Sequence, residues 1–222
     1  MNKKRELKNF KTFNKDAYRP LSAFEVNAYY LPFTNSVYIP VGILQEPFYS
    51  EEFLFEENLG SLGNIIAHEI AHSIFVNDSL LDENNYKHFY FNYEYYQKYR
   101  EWQKKIVKLY SNYKNSYEIK EDGVRTFYEN SADILGMQAC LNVLKMKNSL
   151  SENYSNFFEF YARSKVGVTS DLYNRTIYLT ETHSLPEARV NCVLKNFNEF
   201  YEVYFVGQKD KMYISPKHRA RF

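Results

Sequence analysis

The hydrophobic residues of this chain recur mostly at steps of three and four positions, which place side chains on one face of an α-helix. The clearest stripe lies between positions 92 and 114, where Lys and Glu residues occupy many of the intervening positions. The stripe comprises Tyr95, Tyr99, Trp102, Ile106, Leu109 and Tyr113. We therefore predict a long helix over 92–114, with the aromatic stripe packed in the core and the charged residues in water.

The same spacing predicts other helices. Residues 58–75 carry isoleucines at helical steps with alanines between them, which indicates a buried helix. These isoleucines are Ile65, Ile66, Ile70 and Ile74. A third helix is predicted over 126–147, and shorter ones over 152–164 and 195–206.

Convincing hairpin signals are confined to one region near the start. Residues 25–31 and 37–41 are rich in strand-forming residues and flank a Pro/Asn/Ser turn at 32–36, a pattern typical of a hairpin. We find no internal repeat and no low-complexity linker, so we assign residues 1–222 to a single domain in which residues 1–20 form a polar leader. The predicted fold class is mainly α with a small β-hairpin or edge sheet, an α+β fold.

Composition excludes several classes of function. The 222 residues are 45% hydrophobic, which argues against a disordered chain. The net charge of +1 gives no reason to propose a nucleic-acid partner. No stretch approaches the roughly 18 apolar residues of a transmembrane helix, and no apolar segment follows the basic start as in a secretory signal peptide. The two cysteines, Cys140 and Cys192, form one bridge or none.

The sharpest chemical signal is an H-E-x-x-H motif formed by His68, Glu69 and His72. Positions four apart share one helix face, so both imidazoles can reach a single ion with Glu69 beside them. Zinc binds neutral histidine and, in catalytic sites, keeps one position for a water whose proton the glutamate can take. The alternative, two surface histidines on an amphipathic helix, is disfavoured by the apolar surroundings of the motif.

A catalytic zinc site of this kind requires a third protein ligand. The layout with a glycine and another histidine soon after the motif is excluded, because Phe75 and Asp78 occupy those positions. Glu129 and Asp133 lie four apart on one predicted helix, so one can bind the metal while the other accepts a hydrogen bond from a ligand histidine. His88 is a rival third ligand, although its tyrosine-rich surroundings favour a surface position.

Four blocks, in a fixed order from about residue 20 to the end of the chain, resemble one protein family. They are 26–30 running on to 40–48, then 63–72, then 129–133, and finally 182–186 with 189–191 and a tail at 210–213. The family is that of neprilysin and the endothelin-converting enzymes, which are single-zinc endopeptidases. The resemblance implies a thermolysin-like zincin catalytic lobe with the H-E-x-x-H motif on its central helix.

The resemblance also implies roles for the residues around the metal. His68, His72 and Glu129 would hold one Zn²⁺ ion. Glu69 would activate the attacking water, and Asp133 would orient the His68 imidazole.

Other matching positions would contact the peptide. By resemblance, His183 would stabilise the oxyanion of the tetrahedral intermediate and Arg189 would bind a substrate carbonyl. Asn27 and the backbone of Ala28 would hold the peptide extended, like an added strand. The pocket for the side chain after the cleaved bond would favour large hydrophobic residues. Its lining would be Ile43, Phe48 and Ile65.

The leading hypothesis is a zinc-dependent metalloendopeptidase that cleaves oligopeptides, preferably before large hydrophobic residues. The alternative is a catalytically weak or inactive zinc-binding or interaction module, or a gene fragment. It is motivated by departures from the family: residues 73–75 read Ser-Ile-Phe where the family continues Gly-Phe-Asp, and Glu181 stands where the family has Asp. A purely structural zinc site is disfavoured, since such sites are closed by four protein ligands.

Two family features beyond the site are unmatched in the sequence. Family members carry a membrane anchor and a large N-terminal lobe that closes over the site, so a missing lobe or a partner chain is expected to complete it. Family resemblance suggests a membrane-anchored or extracellular protein, whereas the absence of the family's cysteines from this half argues against that. The sequence therefore assigns no compartment.

Overall fold

The computed structural model of the chain describes residues 22–32, 34–74, 80–81, 87–88, 93–116, 118–167 and 170–221. The leader assigned to residues 1–20 lies outside this part of the chain. Across the described helices, none combines the length and the apolar character that crossing a bilayer requires.

The predicted hairpin is present but shorter than expected. Strand β1 covers Tyr29–Leu31 and pairs antiparallel with β2, Ser36–Tyr38, so that Tyr29 lies opposite Tyr38. A single 3₁₀ turn, Val41–Ile43, follows it. A second antiparallel pair, β3 at Leu80–Leu81 and β4 at Lys87–His88, was not predicted.

The helix that carries the H-E-x-x-H motif begins earlier than predicted. It starts as α1, Phe55–Asn58, passes through a π-helical turn at Leu59–Gly63, and continues as α2, Asn64–His72. π-helical turns occur frequently beside functional sites. The predicted end at 75 is wrong, because Ser73 and Ile74 already lie in a turn after α2; residue 75 is outside the described residues.

The prediction that this helix is buried on its isoleucine face is also wrong in part. Ile70 is 53% exposed and Ile74 is 42% exposed, while Ile65 and Ile66 are half-buried. The buried side of α2 instead carries polar and small residues, His68, Glu69 and Ala71 among them. The helix therefore buries the polar side chains of the motif and leaves part of its aliphatic surface in solvent.

Helix α3 spans Tyr93–Ser111, close to the predicted range. Its buried residues are Tyr99, Trp102, Ile106 and Tyr110. At the N-terminal end of the predicted stripe, Tyr95 is 53% exposed. The stripe therefore begins to meet the core about one turn later than its first aromatic residue.

The centre of the fold is α4, Phe127–Met146, which packs against α2. Among the described helices, α4 has the most buried residues. Close packing depends on Gly136, where a Cβ would lie 3.0 Å from the backbone nitrogen of His68. Helix α5, Ser151–Lys165, covers the π-helical turn, and there a Cβ on Gly60 would lie 2.3 Å from the carbonyl oxygen of Phe157. Two glycines therefore bring the backbones of neighbouring helices into contact.

The C-terminal part differs most from prediction. Helices α6, Asp171–Thr180, and α7, Pro186–Leu194, were not predicted, and the helix predicted over 195–206 is confined to α8, Asn198–Val203. The break between α7 and α8 is stabilised by Asn196, whose Nδ2 donates to the Cys192 carbonyl at 2.7 Å. The fold class nevertheless agrees with prediction: in the described residues, a mainly α structure with two small two-stranded sheets, as expected for a zincin-like lobe.

Candidate metal centre and catalytic site

Helix α2 presents both histidines of the motif on one side. His68 is 3% exposed and the adjacent Glu69 is 8% exposed. His72, one turn later, is half-buried, and its Nε2 lies 3.1 Å from His68 Nε2. The spacing of four therefore does what the sequence predicts and brings the two imidazoles together.

Glu129 of α4 directs a carboxylate oxygen at this pair. Its Oε2 lies 3.2 Å from His68 Nε2 and 3.3 Å from His72 Nε2. His183, in the loop between α6 and α7, approaches the same oxygen, with its Nε2 at 3.0 Å. Four potential ligand atoms from three parts of the chain therefore meet at one point.

The other nitrogen of His68 is oriented by Asp133, one turn after Glu129. His68 Nδ1 lies 2.8 Å from Asp133 Oδ1, and the Asp133 side chain is fully buried. A carboxylate at this distance favours a proton on Nδ1, which leaves Nε2 as the nitrogen that can bind a metal ion.

This donor set fits a divalent cation such as zinc. Two imidazole nitrogens and one carboxylate oxygen are ligands that zinc takes in catalytic sites. Burial raises the pKa of Glu129, but its hydrogen bonds with His183, His68 and His72 outweigh burial and hold this pKa well below its usual range. Glu129 is therefore ionised at neutral pH, which is the state that binds metal.

Asp133 also binds Arg189 of α7 through two hydrogen bonds. Arg189 Nε donates to Oδ2 at 2.8 Å and Nη2 donates to Oδ1 at 2.7 Å. Burial alone would raise the pKa of Asp133, but the charges of Arg189 and Lys165 hold it well below its usual range. Asp133 therefore links the His68 imidazole to the guanidinium through a permanent negative charge.

Residues beside His183 anchor its loop to α4. Ser184 is 3% exposed, and its Oγ donates to Asn130 Oδ1 at 2.8 Å; the Asn130 amide in turn donates to Thr126 Oγ1 at 2.8 Å. On its other side, His183 Nδ1 lies 3.8 Å from Glu181 Oε2. Asn130 and Ser184 lie within the blocks 129–133 and 182–186 that resemble the family, but the sequence assigned them no role. Their adjacency to Glu129 and His183 was the available signal.

A cavity of about 510 Å³ opens beside these residues. Its walls include Glu69, His68, His183 and Arg189 on the polar side. Four of the other residues predicted to bind peptide also line it, whereas Ala28 does not; the four are Asn27, Ile43, Phe48 and Ile65. The structure therefore brings together polar and apolar groups that are up to about 160 positions apart in the sequence.

Asn27 and Ala28, which are predicted to hold the peptide in an extended conformation, are hydrogen-bonded to each other. The backbone amide of Ala28 donates to the side-chain Oδ1 of Asn27 at 3.0 Å, and Ala28 is 4% exposed. A peptide that took the Ala28 amide as a donor would displace this bond. The cavity is bordered by Val26 and Asn27 at the same point.

Sequence reasoning missed one charged residue of the cavity. Lys165, the last residue of α5, lines it together with Ser164, and its side chain is only 8% exposed. Nothing in the local sequence distinguishes Lys165 from a solvated helix-terminal lysine. The rival ligand His88 belongs to β4, but its side chain is outside the described part of the structure.

Comparison with known proteins gives a consistent result. The family model of Peptidase family M13 matches residues 27–220. A neutral endopeptidase of Lactococcus lactis subsp. lactis is 30% identical over 217 residues, which cover 96% of this chain and 34% of that protein. The chain thus spans about a third of the length of this relative.

Solved structures agree in fold. The crystal structure of PEPO from Lactobacillus rhamnosis HN001 superposes with a TM-score of 0.86 at 30% identity, covering 93% of this chain and 32% of that one. The zinc metalloprotease ZMP1 of Mycobacterium tuberculosis, solved with an inhibitor, gives a TM-score of 0.85 at 23% identity over 93% of this chain and 34% of that one. The latter likeness bears on the fold alone.

Proposed function

Because the chain belongs to peptidase family M13, we propose that it is the catalytic part of a zinc-dependent metalloendopeptidase. Its substrates are oligopeptides, and the reaction is hydrolysis of an internal peptide bond. The observation that carries the proposal is the meeting of His68 Nε2, His72 Nε2 and Glu129 Oε2 within 3.3 Å, beside a cavity that Glu69 also lines.

His68, His72 and Glu129 are the residues that we assign to one zinc ion. His183 Nε2 lies nearer to Glu129 Oε2, at 3.0 Å against 3.3 Å for His72, and together with His68 and Glu129 it could also hold a metal ion. Its side chain, however, is 40% exposed and belongs to a loop, whereas that of His72 is 20% exposed on the same helix as His68. A ligand fixed by a helix turn is the better preorganised choice. Zinc, when bound, acts as a Lewis acid that polarises the scissile carbonyl and lowers the pKa of water.

Glu69 is the proposed general base. It lies next to His68 on α2 and faces the cavity, so it can remove a proton from the attacking water and deliver that proton to the leaving amine. His183 is the proposed donor to the oxygen that becomes negative as water adds to the carbonyl. Its greater exposure suits a group that must contact substrate.

Asp133 and Arg189 act as a pair. Asp133 holds the tautomer and orientation of the His68 imidazole. Arg189 uses Nε and Nη2 for Asp133, so we assign its Nη1 to a substrate carbonyl. The bidentate pair fixes the guanidinium plane and hence the direction of that donor.

Asn27 and the backbone of Ala28 are proposed to hold the peptide in an extended conformation beside β1. Ile43, Phe48 and Ile65 form the apolar wall for the residue that follows the cleaved bond. On this wall alone, cleavage before large hydrophobic residues is favoured, since burial of such a side chain contributes roughly 1.5–3 kcal/mol.

The direct test is to purify the chain, measure its zinc content and assay the same sample on a peptide library. We expect about one zinc per chain, cleavage of internal bonds, loss of cleavage with a chelator and recovery when zinc is returned. Zinc binding without turnover would favour an inactive binding module instead. Absence of zinc from a folded sample, even after zinc is added, would contradict the proposed site.

A further inference from the structure

Lys165 is a cation held inside the proposed catalytic cavity. Its ammonium lies 5.7 Å from the ring centroid of Tyr161, within the range of a cation–π contact. It also lines an adjoining cavity of about 330 Å³. Long lysine side chains normally keep the charged end in water, so a lysine whose side chain is only 8% exposed requires an explanation.

The anion nearest to Lys165 is already engaged. Among the described residues, Asp133 provides the one carboxylate oxygen within ion-pair distance of Lys165 Nζ, at 4.0 Å. That carboxylate accepts both hydrogen bonds from Arg189 and faces His68 Nδ1. The guanidinium of Arg189 and the ammonium of Lys165 therefore share one carboxylate, and the distance to Lys165 is too long for a hydrogen bond.

Lys165 nevertheless carries its charge at neutral pH. Burial and the neighbouring charge of Arg189 lower its pKa to about 8, while Asp133, Glu69 and Glu129 act against them. A group with this pKa is about tenfold more protonated than neutral at pH 7.

An apolar substrate side chain in the cavity would raise the free energy of this charged ammonium. Filling the cavity with a leucine or phenylalanine side chain would displace water from Lys165 and supply no acceptor in exchange, and an uncompensated buried charge is strongly unfavourable. A carboxylate would replace the water with a charge-assisted hydrogen bond. The apolar wall of Ile43 and Phe48 can still pack against the methylene groups of such a residue.

We propose that Lys165 determines specificity by binding a carboxylate of the peptide substrate. The inference rests on the proposed peptidase function and sharpens it: the preferred substrate is acidic near the cleaved bond instead of uniformly hydrophobic there. The carboxylate has two possible sources, an Asp or Glu side chain just after the cleaved bond or the free C-terminus of a short peptide.

The test compares peptides of one common sequence that carry Glu, Gln or Leu after the cleaved bond, each with a free or an amidated C-terminus. For the zinc-loaded wild-type chain we expect kcat/KM to favour Glu over Gln by at least about tenfold in the amidated series. If the free C-terminus is the source, the free peptides will be favoured over the amidated ones whichever residue follows the bond. No preference for either carboxylate would overturn the inference.

Three variants identify the residue responsible. Lys165→Met should bring the preference below about twofold and improve cleavage before Leu, whereas Lys165→Arg should retain the preference because it keeps the charge. Arg163→Met is the matched control, since it removes a like charge from the exposed side of the same helix, and it should behave as wild type. An unchanged preference in folded Lys165→Met would overturn the inference.

A binding measurement separates this inference from the proposed function. Fluorescently labelled versions of the same peptides can be titrated against the Glu69→Gln variant, with anisotropy as the readout. Tighter binding of the carboxylate peptides that Lys165→Met abolishes would support the role of Lys165 even if no peptide were cleaved. Cleavage without any carboxylate preference, in contrast, would remove the role of Lys165 and leave the peptidase intact.

Discussion

At the scale of single residues, Asp133 connects the metal site to the two cations beside it. It contacts His68, Arg189 and Lys165 while remaining fully buried. Its loss would release the His68 ring from its orientation and leave the guanidinium without its anion. A residue of this kind affects metal affinity and folding together.

We predict that Asp133→Asn weakens zinc binding by about 10- to 100-fold, the usual effect of removing a carboxylate that supports a metal-bound histidine. Stability should also fall, by about 3–5 kcal/mol, because a buried charge loses its partner. Competition with a zinc chelator and urea unfolding measure the two effects. Asp210→Asn, at an exposed turn, is the control, and zinc affinity equal to that control would contradict the prediction.

The site residues differ in how far the sequence can reveal them. His68 and His72 follow from spacing alone, because a helix turn places positions four apart on one face. Spacing offered Glu129 or Asp133 as the third ligand, and the resemblance selected Glu129. His183 required the resemblance, since no local rule joins a loop to a helix 54 positions earlier (183 − 129). Neither helical spacing nor the resemblance pointed to Lys165. Its burial results from how the end of α5 packs against α7, which the neighbouring residues in the sequence do not reveal.

At the scale of elements, strong periodicity predicts helices well and their ends poorly. Helices α3, α4 and α5 lie within a few residues of expectation, whereas α6 and α7 lack a long apolar stripe and went unpredicted. Burial was least predictable on α2. Ile70 on this helix and Ile74 in the turn after it are exposed, while the polar residues of the helix face α4, because the site chemistry overrides the usual hydrophobic pattern there.

The contact between α2 and α4 positions the motif histidines against Glu129, and Gly136 permits it. We predict that Gly136→Val lowers the free energy of unfolding by about 1–3 kcal/mol through overpacking and weakens zinc binding, because a Cβ would lie only 3.0 Å from the His68 nitrogen. Ala139→Val, at an exposed position of the same helix, introduces the same side chain without the clash; it loses roughly 0.5 kcal/mol of helix propensity, whereas Gly136→Val loses none, so a larger destabilisation in Gly136→Val reports the contact itself. Thermal unfolding and zinc titration of both variants provide the measurement; equal effects would show that the contact is not tight.

At the scale of the whole molecule, the described fold is held by an aromatic core and not by disulfides. Cys140 and Cys192 are both buried free thiols. Burial raises the pKa of Cys140 to about 12, so this thiol is unreactive at neutral pH. Of the two possibilities left by the sequence, one bridge or none, the structure has none.

Global stability should depend on pH through Glu121. Burial raises its pKa to about 7, from 4.5 in the unfolded chain, with Glu187 adding to the shift and Arg125 opposing it. The folded state therefore binds an extra proton between pH 4.5 and 7, and the stability this proton confers is fully present below pH 4.5 and lost as pH rises through 7. We predict that Glu121→Gln flattens this decline, measured by urea unfolding at several pH values against wild type. If the free energy of unfolding fell with pH equally in Glu121→Gln and in wild type, the prediction would be contradicted.

The central claim is that α2 supplies two of the three metal ligands, His68 and His72, together with the general base of a peptidase, Glu69. The most direct measurement is zinc content and peptide cleavage in paired samples of wild type and Glu69→Gln. Glu69 is not among the proposed ligands, so the variant should keep about one zinc per chain, while kcat/KM falls by about 10²–10⁴-fold or more. Cleavage at the wild-type rate by zinc-loaded Glu69→Gln would contradict the account.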